Sequence, residues 1–299
     1  MLVRTALAMP ARILDGRALA AELRDEVALR AARLRERGIA PRLVVAIVGE
    51  DAASAAYVRS LERVGAEAGV DVAVETLDAT ADDEGVRALL RALGDDPSVH
   101  GIILQQPLPP HLGIRRIAEA MPAHKDVDGA NPVNLGRLAF SSGSEFVPAT
   151  PLAVMLLLER SSRWPLQGVP CCVIGRSNVV GLPVALLLLK RDATVSILHR
   201  RTRDLAHHTR DAEVIVAAAG IPGLLRAKMV SPGATVIDVG TTYVDGKVRG
   251  DVDYAAVAAV AGEITPVPGG VGPVTNVALL RNVVLAAERI AAGQEPAGS

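Results

Sequence analysis

Short apolar runs of strand length alternate with segments that are apolar on one face only, and this happens in two separate blocks of the chain. In the first block Leu43 to Gly49 reads LVVAIVG, Val72, Val74 and Thr76 recur at every second position, and Val99 to Gln105 is again mostly apolar. A continuous apolar run is what a strand covered on both faces requires. Between these runs a helix is expected from about Ala52 to Ala68, with Asp51 placed to cap it, and another over 82–93. An earlier helix carries Leu19, Leu23, Val27 and Leu34, and Gly38 supplies its left-handed C-terminal cap. The second block predicts strands at 170–174, 194–198, 213–217 and 235–239, with helices at 179–190, about 203–209 and 254–260, and a last helix over about 274–292. Strand–helix–strand order in both blocks demands parallel sheets covered by helices. The expected fold class is therefore α/β: two α/β domains with a cleft between them, the second a Rossmann-like parallel sheet. A length of 299 residues fits two domains of roughly 150 residues each.

Between the blocks, Leu108 to Pro148 is rich in Pro, Gly and Asn. It reads as a long functional loop with one short helical patch near Ile114 to Ala120. Thr150-Pro151 then reads as a helix start, because proline suits the first turn.

Composition narrows the function. Hydrophobic residues make up 50% and charged residues 22%, which is the balance of a folded globular chain. A net charge of −1 leaves no basic footprint for nucleic acid or an anionic membrane, and 2% aromatics leave little to stack bases on. The longest apolar runs, such as Leu182 to Leu189, are too short to span a bilayer. The N-terminal MLVRTALAMP makes a poor signal peptide. Cys171 and Cys172 are adjacent in a predicted strand, so they point to opposite faces and imply no disulfide framework; a cytoplasmic setting fits. The six histidines include no HxxxH or HxxEH pair for a metal, and no G-x-S-x-G elbow is present.

The chemistry gathers after the strand at 170–174. Gly175-Arg176-Ser177 leads through Gly181 into a helix, an arrangement that offers backbone N–H groups and a positive helix end to a pyrophosphate. It is not GxGxxG, and an ordinary strand-to-helix turn is the plainer alternative. Where an NAD site usually presents an acidic residue to the ribose, this chain reads His199-Arg200-Arg201-Thr202. Together with Arg176 this favours a 2′-phosphate, hence NADP; a solvated basic patch is the alternative.

ILDGRALA (Ile13 to Ala20), VGEDAASAAYV (Val48 to Val58), GIILQQPLP (Gly101 to Pro109), KDVDGANPVNLGRL (Lys125 to Leu138), VIGRSNVVGLP, VIDVGTT, GDVDY and ITPVPGGVGPVT follow one another along the chain. In this order they resemble the bifunctional methylenetetrahydrofolate dehydrogenase/cyclohydrolase family of the FolD type. The resemblance begins near Met9. It implies a folate-binding catalytic domain over 1–149 completed by the C-terminal helix 274–299, and an NADP-binding domain over 150–273. It also implies oxidation of 5,10-methylenetetrahydrofolate to the methenyl form with NADP, hydrolysis of that product to 10-formyltetrahydrofolate, and a homodimer. By the same resemblance Tyr57 stacks on the aminobenzoate ring, Asp128 holds the pterin edge, and Gln105, followed by Pro107, lies beside the reacting centre. Pro266, Gly269 and Gly270 belong to the substrate loop, and Thr241 joins the cofactor set. Core packing is the alternative for Tyr57, which shares one helical face with Leu61, Val64 and Ala68, and turn formation beside Gly129 is the alternative for Asp128.

The pattern breaks at one telling place. The family carries a lysine four residues after that tyrosine, and this chain has Leu61 there, with Arg59 and Arg63 on other faces of the helix. Gln106, Ala130-Asn131 and Leu152-Ala153 also depart from the family pattern on the substrate side. The expectation is a dehydrogenase with weak or absent cyclohydrolase activity. Takeover by Lys125 or a bound water, a catalytically silent binding paralogue, and a dehydrogenase for a different substrate are the alternatives.

Overall fold

A computed structural model describes residues 10–49, 52–140 and 146–293. Residues 1–9 and the expected cap Asp51 lie outside them. In chain order the first elements are β1 (Arg12–Ile13), α1 (Gly16–Glu36), β2 (Arg42–Val48), α2 (Ala52–Ala68), β3 (Asp71–Leu77), α3 (Asp83–Asp95) and β4 (Gly101–Leu104). Then come α4 (Ile114–Ala118), α5 (Pro132–Phe140), α6 (Ala149–Leu158), β5 (Pro170–Ile174), α7 (Gly181–Leu189), β6 (Thr194–Leu198), α8 (Leu205–Thr209) and β7 (Val214–Ala217). A 3₁₀ turn (Ala227–Met229) precedes β8 (Thr235–Asp238), β9 (Thr242–Val244), β10 (Lys247–Arg249), α9 (Tyr254–Ala258), β11 (Glu263–Ile264) and α10 (Val271–Ala291).

The chain divides into two compact units, one holding Ala20–Ala149 and Thr275–Ser299, the other Met1–Leu19 and Thr150–Val274. The first is built on a parallel sheet in the order β3–β2–β4, with Val45 opposite both Val74 and Ile103. β2 is central, and its apolar run is buried because α3 and the segment around Ile117 and Met121 cover one face. α10 belongs to this unit from Thr275 onward: Asn282 Nδ2 donates to the carbonyls of Val127 and Val147, each at 2.8 Å, and Glu288 takes two hydrogen bonds from Arg30. Gly101 keeps β4 close to that layer, since a Cβ there would lie 2.9 Å from Val127 and 3.0 Å from Val283.

The second unit is a six-stranded sheet in the order β1–β11–β8–β7–β5–β6, parallel throughout. Cys171 and Cys172 are 2% and 3% exposed, packed as small apolar groups. Among the described residues no helix is long and apolar enough to cross a membrane.

The structure corrects two expectations. The segment from Leu108 to Pro148 is not a loop with one helical patch, because Pro132–Phe140 forms α5. Asn131 Oδ1 accepts from the Val133 N–H at 2.8 Å and proline occupies the first helical position, so the Asn-Pro that reads as loop is a helix start. Residues 10–19, expected to fall with residues 1–149, join the other unit, because Arg12 and Ile13 pair with Glu263 and Ile264.

Candidate active site

The cofactor candidates converge at the carboxyl ends of β5, β6 and β7, where ligands of doubly wound sheets sit. A cavity of about 340 Å³ is walled by Gly175, Arg176 and Ser177 after β5, by His199, Arg200 and Arg201 after β6, and by Ala218 and Ala219 after β7. Two glycines make it possible. Gly175 has φ +143°, and a Cβ on it would lie 2.1 Å from the Ala218 carbonyl oxygen. A Cβ on Gly181 would lie 2.3 Å from the Gly175 carbonyl oxygen, so only glycine lets α7 start this close to the turn. Ser177 Oγ accepts from the N–H groups of Val180 and Gly181 at 3.2 and 3.4 Å and shapes that entry. Arg176, Arg200 and Arg201 are exposed, and their guanidinium groups have no ion-pair partner among the described residues. A backbone cradle closed to any Cβ, beside three exposed cations, suits a nucleotide phosphate. Gly181 spaces the cavity without lining it, and Thr241 is exposed outside its wall.

His199 belongs to the basic run that the sequence offers at the ribose site, whereas Ala218 and Ala219 are not among its candidates. The alanines contribute backbone and bulk rather than chemistry, and only their place after the next strand could have flagged them.

In the other unit, Tyr57 lies in the first half of α2 and Asp128 in the loop after the short parallel bridge between Ile102 and Asp126. Both are half-buried. Asp128 Oδ1 accepts from the Ala149 N–H at 3.1 Å, at the start of α6, while Oδ2 accepts nothing from the described residues. Desolvation pushes this carboxyl up to about 7, against the pull of the Ala149 N–H and with a further push from Asp126. The Tyr57 phenol is raised as well, first by desolvation and then by the Asp128 charge.

The loop's turn-forming work falls chiefly to Asp126, which is fully buried. Its Oδ1 accepts from Ala130 N–H at 3.0 Å, and its Oδ2 from Asn131 N–H and Asn134 Nδ2, both at 2.8 Å. Gly129 follows with φ +65°. Asp128 is thereby held with Oδ2 unused by the described residues. Gln105 sits just past β4, its N–H bonded to the Ala46 carbonyl at 2.9 Å, and its side chain donates to the Gln106 carbonyl rather than to Tyr57 or Asp128. Pro107 next to it is exposed.

Leu61 is fully buried, one helical turn past Tyr57, on the face that also buries Val64 and Ala68. Lys125 does not stand in for a lysine at that place. Its Nζ donates to the Asp96 carbonyl at 2.7 Å, at the C-terminal end of α3 and therefore toward the amino end of β4, opposite to the end that carries Gln105.

Pro266, Gly269 and Gly270 lie between β11 and α10, in the unit that holds the cofactor cavity. Gly270 is packed so tightly that a Cβ would lie 2.6 Å from the Pro266 carbonyl oxygen, and the Gly269 carbonyl accepts from Gly16 N–H at 3.0 Å.

Comparison with known proteins agrees with this architecture. Residues 14–128 match the tetrahydrofolate dehydrogenase/cyclohydrolase catalytic domain, and residues 148–291 match the NAD(P)-binding domain of the same family. The chain is 49% identical over 284 residues to the bifunctional protein FolD of Cupriavidus necator, covering 95% of this chain and 100% of that one. The crystal structure of the bifunctional enzyme FolD from Campylobacter jejuni superposes with a TM-score of 0.91 at 42% identity, covering 94% of this chain and 99% of that chain. The Trypanosoma brucei FolD, solved with NADP cofactor and inhibitor, gives a TM-score of 0.90 at 37% identity, covering 95% and 99%. This chain belongs to the tetrahydrofolate dehydrogenase/cyclohydrolase family.

Proposed function

We propose that this protein works in one-carbon folate metabolism as an NADP-dependent 5,10-methylenetetrahydrofolate dehydrogenase whose second, hydrolytic step is weak. The observation that carries the division is Leu61, a fully buried alkyl side chain at the place where the resemblance implies a lysine, with Lys125 committed to the Asp96 carbonyl.

The two steps ask different things of the protein. Loss of hydride from the methylene carbon leaves a resonance-stabilised amidinium cation, and no proton has to be removed. Alignment supplies much of that rate, and alignment does not need a lysine. Addition of water to the cation does require proton removal, and a placed base contributes about 10²–10⁴-fold. A leucine cannot supply it.

NADP, when bound, supplies the hydride acceptor. Gly175, Ser177 and the start of α7 past Gly181 would cradle its pyrophosphate, Arg176, Arg200 and Arg201 would pair with the 2′-phosphate, and Thr241 would complete the set. The unused oxygen of Asp128 would accept from the pterin's amino and ring N–H groups, Tyr57 would cover the aminobenzoate ring, and Gln105 with Pro107, Pro266, Gly269 and Gly270 would fix the reacting end. A homodimer, carried over from the family, and a cytoplasmic setting, which the free Cys171 and Cys172 suit, complete the reading.

The test mixes purified protein with 5,10-methylenetetrahydrofolate and NADP and follows NADPH and the methenyl chromophore separately. NADPH formation with methenyl accumulating above a no-enzyme hydrolysis control is expected. Prompt loss of methenyl would show a working second step, and absence of NADPH would favour a binding paralogue or another substrate.

A further inference from the structure

Two buried carboxylates stand behind the cofactor cavity, and no part of the reading above uses them. Asp238 is 2% exposed and Asp251 is fully buried. Asp238 ends β8, and its carboxylate accepts from the N–H groups of Gly240, Asp251 and Val252 at 3.0, 2.9 and 3.1 Å. Asp251, fixed in that way, turns its Oδ2 to the N–H groups of Ala219 and Gly220 at 2.5 and 2.9 Å. Those two amides lie beyond the last ladder bond of β7, in which Ala218 N–H donates to the Ile174 carbonyl at 2.7 Å. The packing leaves no room for a looser arrangement: a Cβ on Gly250 would lie 1.9 Å from Asp238 Oδ2, and one on Gly240 2.4 Å from Asp251 Oδ1.

Ala218 and Ala219 are the third wall of the 340 Å³ cavity. The Ala218 carbonyl already sits within 2.1 Å of where a Gly175 Cβ would be, so a small inward drift of this loop would close on the phosphate turn. Burying two neighbouring acids is costly unless donors reach them; here five backbone N–H groups reach three of the four carboxylate oxygens, and Asp251 Oδ1 has no hydrogen-bond partner among the described residues. That arrangement holds one short loop in place.

We propose that Asp251, seated by Asp238, is a positioning residue for the cofactor: its carboxylate holds the Ala219 and Gly220 amides so that the cavity is open before the dinucleotide arrives. The inference rests on the cofactor reading of that cavity. Asp251→Ala removes the one oxygen that accepts from both amides and should raise the KM for NADP about 10- to 100-fold, while the KM for the folate stays within about twofold. Asp251→Asn keeps an oxygen facing the same two amides and should restore the KM for NADP to within about threefold of the unaltered protein. A parallel rise of both KM values, no rise for NADP, or an Asn variant as poor as the Ala variant overturns the proposal. If Asp251→Ala does not fold, hydrogen exchange in the unaltered, cofactor-free protein decides: residues 219–220 should exchange as slowly as β7, and exchange at open-loop rates overturns the idea. Protected amides in a protein that binds no NADP would instead sink the cofactor reading, and this role with it.

Discussion

Replacing Asp128 by Asn should stabilise the protein above neutral pH while abolishing tight folate binding. The Asp128 carboxyl is raised from 3.8 to about 7 in the fold, chiefly by desolvation. A raised carboxyl means that the native state holds a proton the unfolded chain has already released between these values. The unfolded state therefore binds fewer protons, and stability falls as pH rises from about 4 to about 7, then levels off. A shift of about three pH units corresponds to roughly 4 kcal/mol, and because Asp128 keeps part of its surface in solvent, about 2 kcal/mol is the figure expected. An Asn in its place carries no charge to desolvate, and its amide oxygen still accepts from Ala149 N–H. Thermal unfolding of Asp128→Asn should match the unaltered protein at pH 4 and exceed it by roughly 4–8 °C at pH 8. Folate affinity of the unaltered protein should weaken as pH drops below about 7, where the accepting oxygen becomes protonated. A variant less stable than its parent at pH 8 would refute the reasoning, because it would show that the charge helps the fold rather than strains it.

Other consequences are simpler to state. Gly175→Ala should cost more than about tenfold in NADP affinity without unfolding the protein, since the new Cβ meets the Ala218 carbonyl beside the cavity; titration with NADP checks it. Replacing Arg200 and Arg201 together by Ser should raise the KM for NADP about tenfold or more and leave that for NAD unchanged, so the ratio of the two reports on the 2′-phosphate. Asp126→Ala strips a fully buried acceptor from three donors and should cost about 3–5 kcal/mol in urea unfolding, whereas Asp126→Asn should cost less.

What could be read in the sequence follows from which interactions are local. The apolar runs of β2 and β5 and the one-sided pattern of α2 were legible because burial on both faces or on one face dictates residue type at each position. β1 and β11 were not, since two-residue strands carry no period and pair over some 250 positions of sequence. The β9–β10 hairpin was missed although Asp245-Gly246, both at positive φ, is a standard signal for a tight hairpin turn. At the candidate site, Gly175, Arg176, Ser177, Arg200 and Arg201 stood out because their chemistry is in their side chains or in a missing Cβ. Ala218 and Ala219 did not, because they offer backbone. The division of labour between Asp126 and Asp128 was equally hidden: both are aspartates in one short motif, and only the hydrogen bonds tell the turn-former from the one with an oxygen to spare.

The division between the two steps turns on Leu61. Leu61→Lys places an amine one turn from Tyr57 in a buried setting, which lowers its pKa and suits it to take a proton from water. Methenyl hydrolysis by that variant and by the unaltered protein, each with NADPH formation followed in parallel, is the most direct measurement. Hydrolysis faster by about 10²–10⁴-fold in the variant is expected, with dehydrogenase activity present in both. Rapid hydrolysis by the unaltered protein, with no gain on introducing the lysine, would contradict that division.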